Sequence, residues 1–282
     1  MLANLDNEVH FKKVFTNVEV FTAFVKDILG IEIHINKVET EKVLPSKVSA
    51  IKFKMNLFAE DEESRTVVEI QKVDYDYTYD RFAHYFLANL IDVQRKSKDY
   101  SFAKEVYIIV VVTSAYKISD KNGKAIKSDV LVTDINPRNL KGEIIEMNNH
   151  KMFILNTTYI QTDTPEDILD WLNLIRESMK NPSNPNINLN KPAIVKAASL
   201  ADIEELSPEE LAEAKIQEMK KEAVALIEDA ARKEVELAAE TKQREAIKEI
   251  VKLGILTEEQ IVISFKISWE YLQQIKNEMK DI

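Results

Sequence analysis

Four residues near position 60 have the types from which a hydrolytic metal site is made: Lys54, Asn56, Glu69 and Gln71. They lie in "FKMNLFAEDEESRTVVEIQK", two alternating runs around a short acidic turn, which predicts a β-hairpin. With the turn centred on Glu62-Glu63, Asn56 faces Glu69 and Lys54 faces Gln71. Residues so opposed have Cβ atoms about 4.5–5.5 Å apart. One face carries Phe53, Met55, Leu57, Ala59, Val68 and Ile70 and reads as core. The other gathers an acid, two amides and a lysine. A hard divalent cation takes oxygen ligands, mostly carboxylates, from more than one strand. Bound there, it activates water and neutralises charge on a phosphodiester under attack. An Asp opposite a Glu meets that need, but position 56 holds the amide instead. A solvated hairpin face has the same composition, so both readings stand at this level.

The elements that must hold this hairpin are legible on either side. Residues 8–29 predict a helix, with Phe11, Val14, Phe15, Val18 and then Phe21, Phe24, Val25, Ile28 at helical spacing and Gly30 as a stop. "IEIHINKVET" alternates and predicts a strand. After the hairpin, "YTYDRFAHYFLANLIDVQRK" is helical, with Phe82, Tyr85, Phe86, Asn89 and Leu90 on one side. "EVYIIVVVT" is a continuous apolar run and predicts a strand buried on both faces. "SDVLVTDIN" and "KMFILNTTYI" predict two more strands. "PEDILDWLNLIRESM" predicts a helix opened by Pro165, with Leu169, Leu172 and Ile175 turned inward. An α/β domain over 1–180 follows.

"NPSNPNINLNKP" suits neither helix nor strand, and 181–206 reads as a connector. Beyond it, 207–254 predicts one long charged helix. Ser207 caps it, Pro208 opens it, and Ile216, Met219, Ala223, Leu226, Ala230 and Leu237 form a seam broken at Lys233. The seam makes this segment a candidate for self-association into a homo-oligomer. Residues 255–282 predict a short helix-turn-helix-like bundle, with a capping box from Thr257 to Gln260 and a cap at Ser268. Its last helix offers Trp269, Glu270, Gln273 and Gln274, too poor in Arg and Lys for a DNA reader. A packing bundle is the reading its charges favour.

Composition removes several classes. The 282 residues carry a net charge of −10 and no cysteine. Disulfides and thiolate metal sites are thereby excluded. That fits a reducing, cytoplasmic setting. The acidity argues against a uniformly basic nucleic-acid coat, although 95–141 holds a slight excess of Lys and Arg. No phosphate-cradling glycine loop is present. No apolar run approaches the roughly 18–20 residues of a membrane span, so no membrane partner is expected. The opening "MLANLDNEVHFKKVF" has no basic leader before an apolar stretch, so no secretory signal is expected. His10, His34, His84 and His150 share no metal-ligand spacing.

Three stretches, "NEVHFKKVFTNVEVFTAFVKDILG", "NLFAEDEESRTVVEIQKVDYDYTYDRFAHYF" and "FAKEVYIIVVVTS", occur in this order. Together they resemble the PD-(D/E)XK nuclease family transposases, the Rpn family of recombination-promoting nucleases. The resemblance spans roughly residues 5–180, and "VEIQ" followed by Arg81 and Tyr85 is its most specific part. The helical tail is similar to tails of that family. The resemblance implies a restriction-endonuclease-like α/β core, a mixed sheet flanked by helices with an α-helical C-terminal tail, and Mg²⁺- or Mn²⁺-dependent cleavage of DNA. By position it implies Glu69 as metal-binding acid. Gln71 stands where the wider superfamily has lysine, and Glu8 where the family has an acid near the first helix. Asn56 stands where the family has a metal-binding Asp, so weak metal binding and impaired cleavage are expected. Arg81 and Tyr85 have two open roles, support of the site with DNA contact or capping of the core. Lys54 has two as well, a replacement for the missing lysine charge or an ordinary exposed strand residue. If cleavage is lost, the chain is expected to be an inactive scaffold that associates through its tail.

Overall fold

The computed structural model describes residues 1–44, 53–71, 79–96, 99–115 and 119–279. A six-stranded mixed sheet organises the first part of the chain. Its strands are β1 (Glu39–Leu44), β2 (Phe53–Glu60), β3 (Ser64–Gln71), β6 (Glu105–Val112), β7 (Val130–Asp134) and β8 (Lys151–Asn156), in the order β1-β2-β3-β6-β8-β7. A separate hairpin joins β4 (Gln94–Lys96) to β5 (Asp99–Phe102). β1, β2 and β3 are antiparallel neighbours, β6 runs parallel to both β3 and β8, and β7 closes the far edge antiparallel to β8. The β3-to-β6 crossover is made by helix α3 (Tyr79–Asp92). From Val106 to Val112 every residue of β6 is buried, as its apolar run predicts.

The sheet separates two hydrophobic clusters, which makes a three-layer α/β/α body. On one side α1 (Glu8–Phe15), α2 (Val18–Leu29), α4 (Glu166–Lys180) and α5 (Pro192–Leu200) pack over Leu57, Ala59, Val68, Ile70, Ile109, Val111 and Leu155. Phe15, Phe24 and Trp171 interlock there, with ring centroids 5.1–5.8 Å apart. On the other side α3 lays Phe82, Phe86 and Leu90 against Phe58, Val67, Val106, Ile108 and Val110. All five residues that its sequence places inward, Asn89 included, are buried.

Three sequence readings change. The helix expected over 8–29 is two helices, because Asn17 adopts an extended backbone and its side chain accepts the Val20 N–H at 3.2 Å, starting α2 afresh. The strand expected in "IEIHINKVET" is not formed over 31–38. Ile33 is buried, and the His34 N–H is held by the Asp61 carboxylate at 3.1 Å instead of by a ladder. The edge strand begins only at Glu39. Finally, the core face assigned to the hairpin is not one face. Leu57 and Ala59 enter the α1/α2 cluster, whereas Met55 enters the α3 cluster beside Phe58. Alternation therefore breaks at Asn56.

Residues 181–206 are fastened to the first body. Leu2 N–H donates to the Pro182 carbonyl at 2.9 Å, and Ile194 and Ala197 of α5 are fully buried. Lys191 reaches Asp27 at 2.9 Å, Asp167 at 2.7 Å and Asp170 at 3.4 Å. The chain divides into two compact units, residues 1–218 and 219–282. Helix α6 (Pro208–Leu253) starts in the first with the expected capping box, Ser207 and Glu210 exchanging side-chain to backbone bonds at 2.8 and 3.1 Å. Its first turns are tied to α1, where Asn7 donates to the Ala214 carbonyl at 3.1 Å and Lys13 pairs with Glu210 at 2.9 Å. In the second unit, the end of α6 packs with α7 (Glu258–Phe265) and α8 (Trp269–Glu278) around Ile247, Ile261, Leu272 and Ile275. Thr257 and Ser268 cap these helices as their sequence predicts. No described helix is long and apolar enough to cross a membrane.

Candidate functional site

The break in the hairpin is where its polar residues meet. The β2–β3 ladder pairs Glu60 with Arg65 through to Leu57 with Val68. At the next pair the strands are joined through side chains. The Asn56 N–H donates to Glu69 Oε1 at 2.9 Å, and the Ile70 N–H donates to Asn56 Oδ1 at 3.0 Å. Each side chain thus takes the place of a backbone carbonyl, which satisfies two donors that would otherwise be buried without partners. Both side chains are deeply enclosed, Glu69 at 4% and Asn56 at 9% exposure. Asn56 and Glu69 therefore do not lie on a solvated outer face of a hairpin.

The edge strand shows the same irregularity. Thr40 faces Leu57 and Lys42 faces Met55, while Glu41 between them has φ 58°, a left-handed backbone costly for a residue with a side chain. Glu41 thereby stands beside Asn56 in the row that contains Glu69. Its carboxylate meets the ammonium groups of both Lys12 and Lys54. Lys12 also holds Glu8, one helical turn earlier, at 3.2 Å. Glu8 opens α1, whose amphipathic face anchors it over this end of the sheet with His10, Phe11, Val14 and Phe15 buried.

Electrostatics link these groups into one site. Burial pushes the Glu69 carboxyl up to about 8. The Asn56 N–H and the Arg81 guanidinium pull against that shift, the Glu8 carboxylate adds to it, and Lys12 opposes it. The buried Glu69 carboxyl thus feels the charges of Glu8, Lys12 and Arg81. Arg81 is oriented by Tyr85, whose hydroxyl accepts from Nε at 3.2 Å and from Nη2 at 3.0 Å, and Tyr85 itself is buried against the core. Gln71 ends β3, its backbone paired with Val112. Lys54 is 62% exposed at its side chain and serves Glu41.

Asn56 and Glu69 are in direct contact, and Glu8 is linked through Lys12 to Glu41, which stands beside Asn56. Sequence reasoning missed Lys12 and Glu41. The i,i+4 spacing from Glu8 to Lys12 is a usable signal, but Glu41 lies just past the alternating stretch, in a charged strand that alternation does not mark. Among the described residues no group of three or more His, Asp or Glu is arranged to hold a metal ion. The donors that fit a hard divalent cation are two carboxylates from separate elements, Glu69 and Glu8. Asn56 adds a neutral oxygen that already accepts the Ile70 N–H. No family model, curated protein or solved structure matches this chain.

Proposed function

We propose that this chain is a restriction-endonuclease-like DNA nuclease of the recombination-promoting, transposase-like kind, cytoplasmic, dependent on Mg²⁺ or Mn²⁺, and impaired by Asn56. The observation that carries this reading is the buried contact of Asn56 from β2 with Glu69 from β3, with Glu8 of α1 joined to the neighbouring Glu41 through Lys12. Metal-assisted hydrolysis needs acids delivered from separate elements to one point. DNA as substrate and the family assignment rest on the sequence resemblance, and the mixed α/β/α body is compatible with such a core.

When bound, a divalent cation supplies activated water and charge neutralisation at the scissile phosphate. Glu69 and Glu8 would hold it. The chain's own part is to enclose that place, to keep Glu69 aimed through the Asn56 N–H, and to present Arg81 as a positive charge toward the phosphate. Asn56 contributes position without charge. Because even an outer-shell change costs about 10–100-fold in metal affinity or activity, loss of a ligand's charge costs at least that.

The scaffold reading is favoured by a different observation. Leu226, Ile227, Val235 and Leu237 of α6 are 65–72% exposed, a surface for association that owes nothing to catalysis. A cleavage assay on plasmid DNA with Mg²⁺ or Mn²⁺ separates the two. The nuclease reading expects slow cutting that Asn56→Asp accelerates and Glu69→Ala, added to it, removes. Absence of cutting and of metal binding in Asn56→Asp leaves the scaffold reading.

A further inference from the structure

We propose that Lys12 is the built-in counter-cation of this site, a positioning residue that a divalent metal ion must displace from Glu8. The proposal deepens the nuclease reading and rests on it. Glu8 is a carboxylate assigned above to a hard cation, and Lys12 already holds it at 3.2 Å. The same ammonium holds Glu41, so it bridges an acid of α1 to an acid of the edge strand. Its side chain is only 15% exposed, which makes it an enclosed charge rather than a surface lysine free to swing into water.

The partners of Lys12 are fixed from both sides. Glu8 lies in the first turn of α1, whose buried face ties it to the core. Glu41 is turned by its left-handed backbone and is held a second time by Lys54. Two carboxylates are therefore matched by two ammonium groups with no ion added. Glu8, the ligand that α1 would supply, is therefore already charge-balanced and has little net attraction for a dication. An entering ion must also take Glu8 from the enclosed Lys12, leaving it only the Glu41 carboxylate that it shares with Lys54, which is costly for a charge with little access to water. With an acid at position 56 the site would hold a further negative charge and the balance would shift toward the metal. With Asn56, Lys12 and the amide act in the same direction, and the protein is complete without a cation.

The test is Mn²⁺ titration of the full chain, read by calorimetry and by the Mn²⁺-dependence of the melting temperature, neither of which needs cleavage. Lys12→Met removes the competing charge and is expected to tighten Mn²⁺ binding by at least about tenfold. Its melting temperature should then rise with Mn²⁺ where that of the parent does not. Lys12→Gln, polar and neutral, gives the same result if the methionine folds poorly, and circular dichroism establishes folding for each. Lys12→Arg keeps the charge and should keep the weak binding of the parent. Glu69→Gln added to Lys12→Met should lose what was gained. Binding by Lys12→Met and Lys12→Gln no tighter than the parent's overturns the proposal. If Asn56→Asp binds Mn²⁺ tightly in that case, only the role of Lys12 has failed. If Asn56→Asp does not bind either, the metal site itself has failed.

Discussion

Asn56 and Glu69 face each other across β2 and β3 and complete the ladder with their side chains, Glu69 accepting the Asn56 N–H at 2.9 Å. The reciprocal bond runs from the Ile70 N–H to Asn56 Oδ1. A carboxylate oxygen accepts that N–H as well as an amide oxygen does, so Asn56→Asp preserves the joint. What changes is charge. A second acid beside Glu69 disfavours ionising both, so Asn56→Asp is expected to melt lower than the parent near neutral pH without metal and to regain stability with Mn²⁺. Metal affinity should rise at least about tenfold. Calorimetric titration and melting curves check both, and a variant whose melting temperature ignores Mn²⁺ contradicts the prediction.

The buried Glu69 carboxyl makes stability depend on pH in a particular direction. Its folded value of about 8 lies above the ordinary 4.5, so the folded protein retains a proton that the unfolded chain releases between the two. The stabilisation is complete below the ordinary value and is lost as pH rises toward the folded one. His150 works oppositely, since burial lowers its value and stability falls as pH falls. The difference between parent and Glu69→Gln isolates the carboxyl. Denaturant unfolding at about pH 5 and about pH 9 should show the parent losing more stability than Glu69→Gln over that rise. Metal binding must also displace this proton, so Mn²⁺ affinity should increase with pH over the same window.

Much of this site is legible because its information is local. Alternation on both sides of "EDEES" sets the register, and the register sets Asn56 opposite Glu69. The helical spacing of α3 gives its inner face residue by residue. What alternation does not encode is its own interruption. Met55 and Leu57 are two apart and belong to different clusters because the pairing changes from backbone to side chain between them. Alternation points to "IEIHINKVET", whereas the strand that forms, "ETEKVL", is a charged edge strand of the kind that discourages further pairing. The Lys12–Glu41 contact joins segments 29 residues apart and leaves no trace in either.

The segment that begins "NPSNPNINLNKP" reads as a loop, and Lys191 is one of its anchors. Lys191 contacts Asp27, Asp167 and Asp170, and Asp27 also accepts the Trp171 indole N–H at 2.6 Å. Burial alone lowers the Lys191 value, and its hydrogen bonds to Asp167 and Asp27, with their charges, more than reverse it. Asp27 and Asp170 are largely enclosed, at 15% and 10% side-chain exposure. Lys191→Met leaves both without their cation and should cost about 3 kcal/mol. Urea unfolding measures it. Asp27→Asn made together with Lys191→Met should cost less than the two single changes added, because the stranded charge is then partly removed.

Helix α6 presents apolar side chains for which the second unit offers no cover. Leu226 and Ile227 are adjacent and 72% and 68% exposed, and Leu237 is 65% exposed about three turns further on. Charged residues at i,i+4, such as Asp229 with Lys233 at 2.8 Å, support the helix in water and supply no partner for that surface. A stripe of this kind is stabilised when copies of the chain bring it together, and the small residues Ala223 and Ala230 in the same seam allow close approach. The expected outcome is concentration-dependent self-association in sedimentation or light scattering, through residues 207–254. Leu226→Lys with Leu237→Lys should yield a monomer at the same concentration. Both positions are exposed, so the melting temperature of the dilute protein should hardly move. A parent chain that is monomeric at every concentration removes self-association from α6 and with it the observation on which the scaffold reading stands.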